Sequence, residues 1–345
     1  MAVTSANAAS RLYIVPETTY GQMIAPANSN RASAGVFSFT ANQGKIISTD
    51  RTGRTSEPKG KPGIRTASWQ GDFELRTPAA AGGKPDADPF FVAAFGIPAV
   101  VVAATSATYI RLPATTDDPK SFTIYEYIDP SDAMHQALPG SVINKAVFKF
   151  PIGANANVSV TGESIWVDDA YSHDTADATA RGGLAVGAFP TEPATPVVNG
   201  NPIDALTGTF TINGVGTFSI ESCDLEMSPN WSAKAVRLFA GGYPGLPTRT
   251  IYTYRLSNLV LILDNSASMK SLIAKTKDKV NPYTTCILEC GVGAGNRANF
   301  AMAGVQLEPP KITDGGDGSK RVTFPSMNLF ESAIGQQDTL ALKFY

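Results

Sequence analysis

Along most of the chain, apolar and polar residues alternate with a period of two, and the alternating runs end at Gly, Pro, Asn or Asp. This is the pattern of strands with one buried and one solvated face, joined by turns. It predicts strands over residues 36–40, 66–76, 122–128, 142–150, 156–167, 208–227, 250–263, 283–292, 298–307, 320–330 and 339–345. Two segments keep a helical spacing instead. Residues 86–95 open on acidic cap candidates, carry Pro89 in the first turn and stop at Gly96 with Pro98 beyond. Residues 265–279 begin with cap residues and space Met269, Leu272, Ile273 and Thr276 along one face. They end in lysines that suit the negative end of the helix dipole. The predicted fold class is mainly β, with two short helices.

Between the two halves the rhythm lapses. Residues 168–206 are acidic at first and then rich in Ala, Gly, Pro, Thr and Asn, which reads as a linker or insertion. The expected division is a first β domain at 1–167, the connecting segment at 168–206 and a second β domain at 207–345. A chain of 345 residues agrees with a prior of about 100–200 residues per domain. In both halves strands precede one short helix and further strands come after it, a pattern that points to duplication without residue identity.

Composition sharpens this reading. Hydrophobic residues make up 43% and charged residues only 17%, so much of the surface is expected to be covered by something. A net charge of −2 removes any whole-chain electrostatic case for gripping nucleic acid. The first ten residues lack the basic and apolar regions of a signal peptide, and no apolar run approaches the ~20 residues of a membrane span. The expectation is a protein that is soluble and intracellular when made, with no membrane partner.

Chemistry-bearing motifs are sparse, and no catalytic, cofactor-binding or metal site is predicted. His135 is expected in a polar loop and His173 in the acidic connector, and neither belongs to a ligand pair. Cys223, Cys286 and Cys290 are an odd set. Cys286 and Cys290 lie on one strand, ~13 Å apart when extended, too far for a disulfide, and read as small buried hydrophobes. The Gly-rich run 291–296 lacks the spacing of a phosphate loop, and 314–319 lacks the ligand pattern of a calcium loop; both read as hairpin turns.

The tract 51–65 is far longer than a hairpin turn and carries Arg51, Arg54, Lys59, Lys61 and Arg65. Three uses suit it: binding phosphates, docking on an acidic neighbouring subunit, or remaining a solvated loop.

Near the start, Pro16-Glu-Thr-Thr-Tyr-Gly21 resembles the short Glu-x-x-Tyr-Gly motif of one family of phage tail tube proteins. The order of the downstream elements is also similar to that family. A strand reaches 44–51, the long loop comes next, then Gly71-Asp-Phe-Glu-Leu-Arg76 and the helix around Asp88-Pro-Phe-Phe-Val-Ala-Ala-Phe-Gly96. After the helix come Ser121-Phe-Thr-Ile-Tyr-Glu-Tyr127, Gly140-Ser-Val-Ile-Asn144 and Val158-Ser-Val-Thr-Gly-Glu163, with 218–228 and 300–330 in the second half. The resemblance implies a non-enzymatic virion protein of a long-tailed (siphovirus-type) phage, made and assembled in the host cytoplasm. Each tube-like β-sandwich domain would contribute strands to an oligomeric β-barrel. It further implies stacked rings, trimeric with pseudo-sixfold symmetry or hexameric, and partners such as the tape measure and tail terminator proteins. Genomic DNA would pass the lumen without specific binding. The five cations of 51–65 become candidates for contacts between rings. The rival reading is a carbohydrate-binding or adhesive β-sandwich, for which Trp69, Trp166 and Trp231 would have to stand exposed as a platform rather than fill the core.

Overall fold

The alternating runs become antiparallel ladders. The computed structural model describes residues 10–46, 61–78, 80–111, 120–128, 135–151, 153–169, 188–195, 200–205, 208–232, 248–249, 252–264, 266–278, 283–291, 293, 295–316, 318–334 and 336–345. The strands of the first half are β1 (Arg11–Pro16), β2 (Arg31–Ala32), β3 (Ala34–Ile46), β4 (Lys61–Glu74), β5 (Val100–Val102), β6 (Ser106–Ile110), β7 (Phe122–Tyr127), β8 (His135–Phe150), β9 (Asn157–Ser164) and β10 (Asp168–Asp169). Those of the second are β11 (Thr209–Ile212), β12 (Gly216–Ser228), β13 (Trp231–Ser232), β14 (Thr248–Arg249), β15 (Thr253–Ile262), β16 (Tyr283–Cys290), β17 (Ala298–Gln306), β18 (Lys311–Asp314), β19 (Lys320–Thr323), β20 (Met327–Phe330) and β21 (Leu340–Phe344). Helix α1 spans Asp88–Phe95 and α2 spans Ala267–Lys275.

One long sheet runs β3–β4–β9–β8–β12–β15–β19–β18. A second runs β5–β6–β21–β17–β16–β11. The sheets meet where β11 returns to the start of β12 and where β20 bridges β17 and β15. Strands β11, β12, β15, β20, β17 and β16 thereby close a six-stranded barrel. A smaller sheet, β2–β1–β7–β8–β10, uses the first half of β8. Strands from both halves of the sequence share sheets: β8 pairs with β12, and the last strand, β21, pairs with β6.

The mainly β expectation holds, with two instructive differences. The runs 208–227 and 320–330 each divide into two strands, because Asn213–Val215 forms a turn and residues 324–326 leave the ladder. His135 is not in a loop; it opens β8, its ring edge-on to Tyr127 with centroids 4.8 Å apart. Both Gly-rich runs are hairpin turns as expected, with Cys290 opposite Ala298 and Asp314 opposite Lys320.

Inward-facing side chains form a continuous core. One register row, Phe73, Val158, Phe148, Leu225, Leu256 and Met327, is buried across six strands. Helix α1 seals the first half with Phe90 between Trp69, Phe73 and Phe122, and Phe91 between Tyr109, Phe148 and Phe344. It ends at Gly96, whose φ of 80° only a residue without Cβ adopts freely and whose N–H donates to Val92 O. In α2 the Ser266 hydroxyl caps the helix by accepting the Met269 N–H at 3.0 Å, and Met269 and Leu272 face the core.

The described parts of the connecting segment pack on the first half. Glu192 accepts from the Arg11 guanidinium and the Tyr13 hydroxyl, Phe189 meets Tyr125 edge-on, and buried Ile203 exchanges backbone hydrogen bonds with Leu75 and Ala156.

Candidate functional site

The same alternation that buries one face of the long sheet leaves its other face polar. Val36, Asp72, Ser159, Val147, Glu226, Arg255 and Asn328 are successive register partners across it. Beside this row lie Ser38, Gln70, Thr161 and Lys145, and on its other flank Glu74, Asn157, Lys149, Asp224 and Ser257. The face is thus paved with hydroxyls, amides and paired charges. Lys145 and Glu226 form an ion pair at 2.7 Å, Ser159 donates to Asp72, and Asn258 donates to Asp224. Among the described residues the carboxylates Asp72, Glu74, Glu163, Asp224 and Glu226 outnumber the cations Arg76, Lys145, Lys149 and Arg255 by one, and Arg76 is paired with Glu74 at 2.7 Å, so the surface offers phosphates little hold.

This sheet ends on open edges. Among the described residues β3 pairs only with β4, and β18 only with β19. Val36 on the first edge and Ile312 on the second are exposed by 60% and 53%. Two unpaired edges bearing exposed aliphatics are what a soluble monomer avoids and a self-associating chain uses.

The Glu-x-x-Tyr-Gly motif turns out to be a staple. The carboxylate of Glu17 accepts the N–H groups of Gly21 (2.7 Å) and Gly140 (2.8 Å) and the hydroxyls of Ser121 (2.6 Å) and Thr123 (2.7 Å). Burial pushes its pKa above the usual carboxylate range, against the pull of those four donors. Gly21 sits at φ 74°, which explains the glycine, and Tyr20 packs on the cluster of Val142, Ile165, Trp166 and Trp231. The motif therefore fixes the chain leaving β1 onto β7 and β8, and its role is positional.

The structure sorts the residues singled out from sequence. Lys61 and Arg65 belong to β4, so the strand begins earlier than the alternation indicated, while Arg51, Arg54 and Lys59 lie outside the described residues, as does His173. Trp69, Trp166 and Trp231 are 3%, 7% and 5% exposed and build no aromatic platform. Cys223, Cys286 and Cys290 are buried free thiols, and burial pushes the latter two up to about 12. Among the described residues no group of three or more His, Cys, Asp or Glu is placed to hold a metal, and no helix is long and apolar enough to cross a membrane. The polar face itself was missed by sequence reading. Its signal was present in Ser68/Gln70/Asp72 and Ser159/Thr161/Glu163, but strand adjacency, which makes them a surface, is not a local property.

The model of the phage tail tube protein family matches residues 7–253. The chain belongs to the phage tail tube protein family. The match takes in the Glu17 staple, α1 and every strand of the long sheet from β3 to β12, and it ends at the first residue of β15. No curated relative matches the sequence. Membership in the tail tube family makes the chain a structural virion component that associates with itself and with other tail components.

Proposed function

We propose that copies of this chain join head to tail along the long sheet, the β3 edge of one against the β18 edge of the next, and close into a ring. A heterologous contact of this kind closes when its rotation completes a circle, and closure removes both open edges of the long sheet. The polar face becomes the wall of the lumen, and rings stack into the tail tube of a siphovirus-type phage, with the cations Arg51, Arg54, Lys59, Lys61 and Arg65 reaching the neighbouring ring. Genomic DNA then slides through without specific binding. No bond is made or broken, and the work of the wall is to withhold attraction from a moving polyanion. The tape measure and tail terminator proteins are the expected partners at the tube's interior and end.

The observation that carries this reading is the polar face: one continuous surface over β3, β4, β9, β8, β12 and β15, balanced slightly towards negative charge, in a sheet that among the described residues is open at both ends. Negative-stain electron microscopy of the purified protein at rising concentration tests it. Rings and hollow tubes are expected, with symmetry that distinguishes three subunits from six. A variant with Arg51, Arg54 and Lys59 replaced by Ser is expected to stop at single rings. Monodisperse monomers at every concentration would overturn the reading.

A further inference from the structure

A trough of about 390 Å3 opens on the outer face of the second sheet. Its origin lies in one register row, where Ile110, Ala341, Ala301 and Ile287 are successive partners across β6, β21, β17 and β16. Two alanines between two isoleucines leave a depression two strands wide, or ~10 Å given the spacing of neighbouring strands. Buried Cys286 and Met302 form part of its lining, and Asn213 and Asp338 add polar atoms. Its surroundings are apolar as well: Ile287 is 39% exposed, and Tyr283 and Phe330, 55% and 39% exposed, stand edge-on to each other.

The chain also carries a matching projection. Ile334 lies in the connection from β20 to β21 and is fully exposed, at 104%. This is no loose tip. The Asp338 carboxylate, which also lines the trough, accepts the Ser332 N–H at 2.9 Å and the Ser332 hydroxyl, and Gln336 N–H donates to Ala333 O. A braced loop thus holds an aliphatic side chain entirely in water, and that side chain does not fill the trough of its own copy.

We propose that Ile334 of one copy seats in the Ala301–Ala341 trough of a second copy, as a contact between subunits of the assembled tube. The inference rests on the self-assembling reading above and adds a contact separate from the β3 and β18 edges. Knob and socket occupy different places on each copy, so the contact is heterologous and repeats from subunit to subunit, as a tube requires. The occupant is an aliphatic side chain because Ile110, Ile287, Ala301, Ala341 and Met302 supply most of the lining, while the lining carboxylate, Asp338, is already engaged by Ser332.

Site-directed cross-linking tests the contact. Full-length Ile334→Cys and Ala341→Cys variants are mixed, allowed to assemble, sedimented and oxidised. Both variants also carry Cys286→Ala, because Cys286 lines the trough, and Cys223 and Cys290 are buried, so the introduced pair is the reactive one. A disulfide-linked dimer is expected from the mixture and not from either variant alone. Sedimenting assemblies without it would overturn this contact and leave self-assembly standing, whereas wild-type protein that never sediments would remove both. As an independent measure, Ile334→Asp should raise the concentration needed for assembly at least about tenfold, in line with loss of a well-packed interface anchor. An unchanged threshold would count against the contact.

Discussion

At the scale of single residues, the parts of this chain that look most like chemistry are devoted to holding the backbone. Glu17 is a buried carboxylate surrounded by donors, and its two oxygens divide the N–H groups of Gly21 and Gly140 between them. In Glu17→Gln the side-chain amide must face one of those two N–H groups, whichever way it turns, leaving a buried donor without an acceptor. The expected loss is about 1–3 kcal/mol in chemical denaturation. The pH dependence has a definite sign. Because burial raises the folded-state pKa of Glu17, its contribution to stability is complete below the ordinary carboxylate range and declines as pH rises through the raised value. Glutamine does not titrate, so the gap between wild type and variant should be widest in acid and narrow towards neutrality. A gap that widens with rising pH would mean that the four donors outweigh burial. Gly162 shows the same economy in the core: a Cβ there would lie 2.2 Å from Val142 O and 2.3 Å from Trp69, so the missing side chain is what lets Trp69 lie against the strand.

At the scale of elements, edges carry the argument. Substituting Ile312→Lys in β18 puts a charge on an exposed edge position, the device by which soluble sheets block pairing. The variant monomer should keep its melting temperature, since β18 contributes little core, yet fail to form rings under the microscope. Rings with wild-type yield would exclude the β18 edge from the joint. How far such elements could be read in advance depends on their surroundings. Strands with one wet face, such as β4, β9 and β17, announce themselves by alternation. Helix α2 announces itself by its Ser266 cap, and α1 by Pro89 in its first turn and Gly96 at its end, although its N-cap is Ala87, without the acidic cap bond that the sequence suggested. β1 does not, because Leu12, Tyr13, Ile14 and Val15 are all buried and the run has no polar phase. β8 reads short from sequence because Pro139 and Gly140 resemble a break. In the fold they mark the place where one strand passes from the small sheet to the long one, with Gly140 at φ 61° and its N–H on Glu17. Two-residue strands such as β2 and β10 exist only as partners of longer ones and leave no pattern of their own.

At the scale of the whole molecule, the question is why a protein proposed to surround DNA should have so little positive charge on the surface proposed to meet it. Affinity for a duplex comes chiefly from cations that displace condensed counterions, so every exposed, unpaired Lys or Arg on a lumen wall would slow a sliding genome. Here Lys145 is neutralised by Glu226, Asp72 stands in the same row as Glu226, and Asp224 lies in the row beyond it, opposite Lys149. The proposed wall is exposed in the monomer, so its indifference to DNA can be measured without assembling a tube. Wild-type monomer is expected to leave a short duplex unshifted at physiological salt. Replacing Asp72→Lys and Thr161→Lys, both exposed on this face, converts a balanced surface into a cationic one without touching the core. That variant should bind duplex of any sequence, with an affinity falling steeply as salt rises, by a logarithmic slope of about 0.9 per phosphate contacted. Equal, strong binding by the wild type would show that the face grips phosphate and is no passive wall. Binding gained only in the variant, and lost again in high salt, would show that low charge on this sheet keeps DNA free to move.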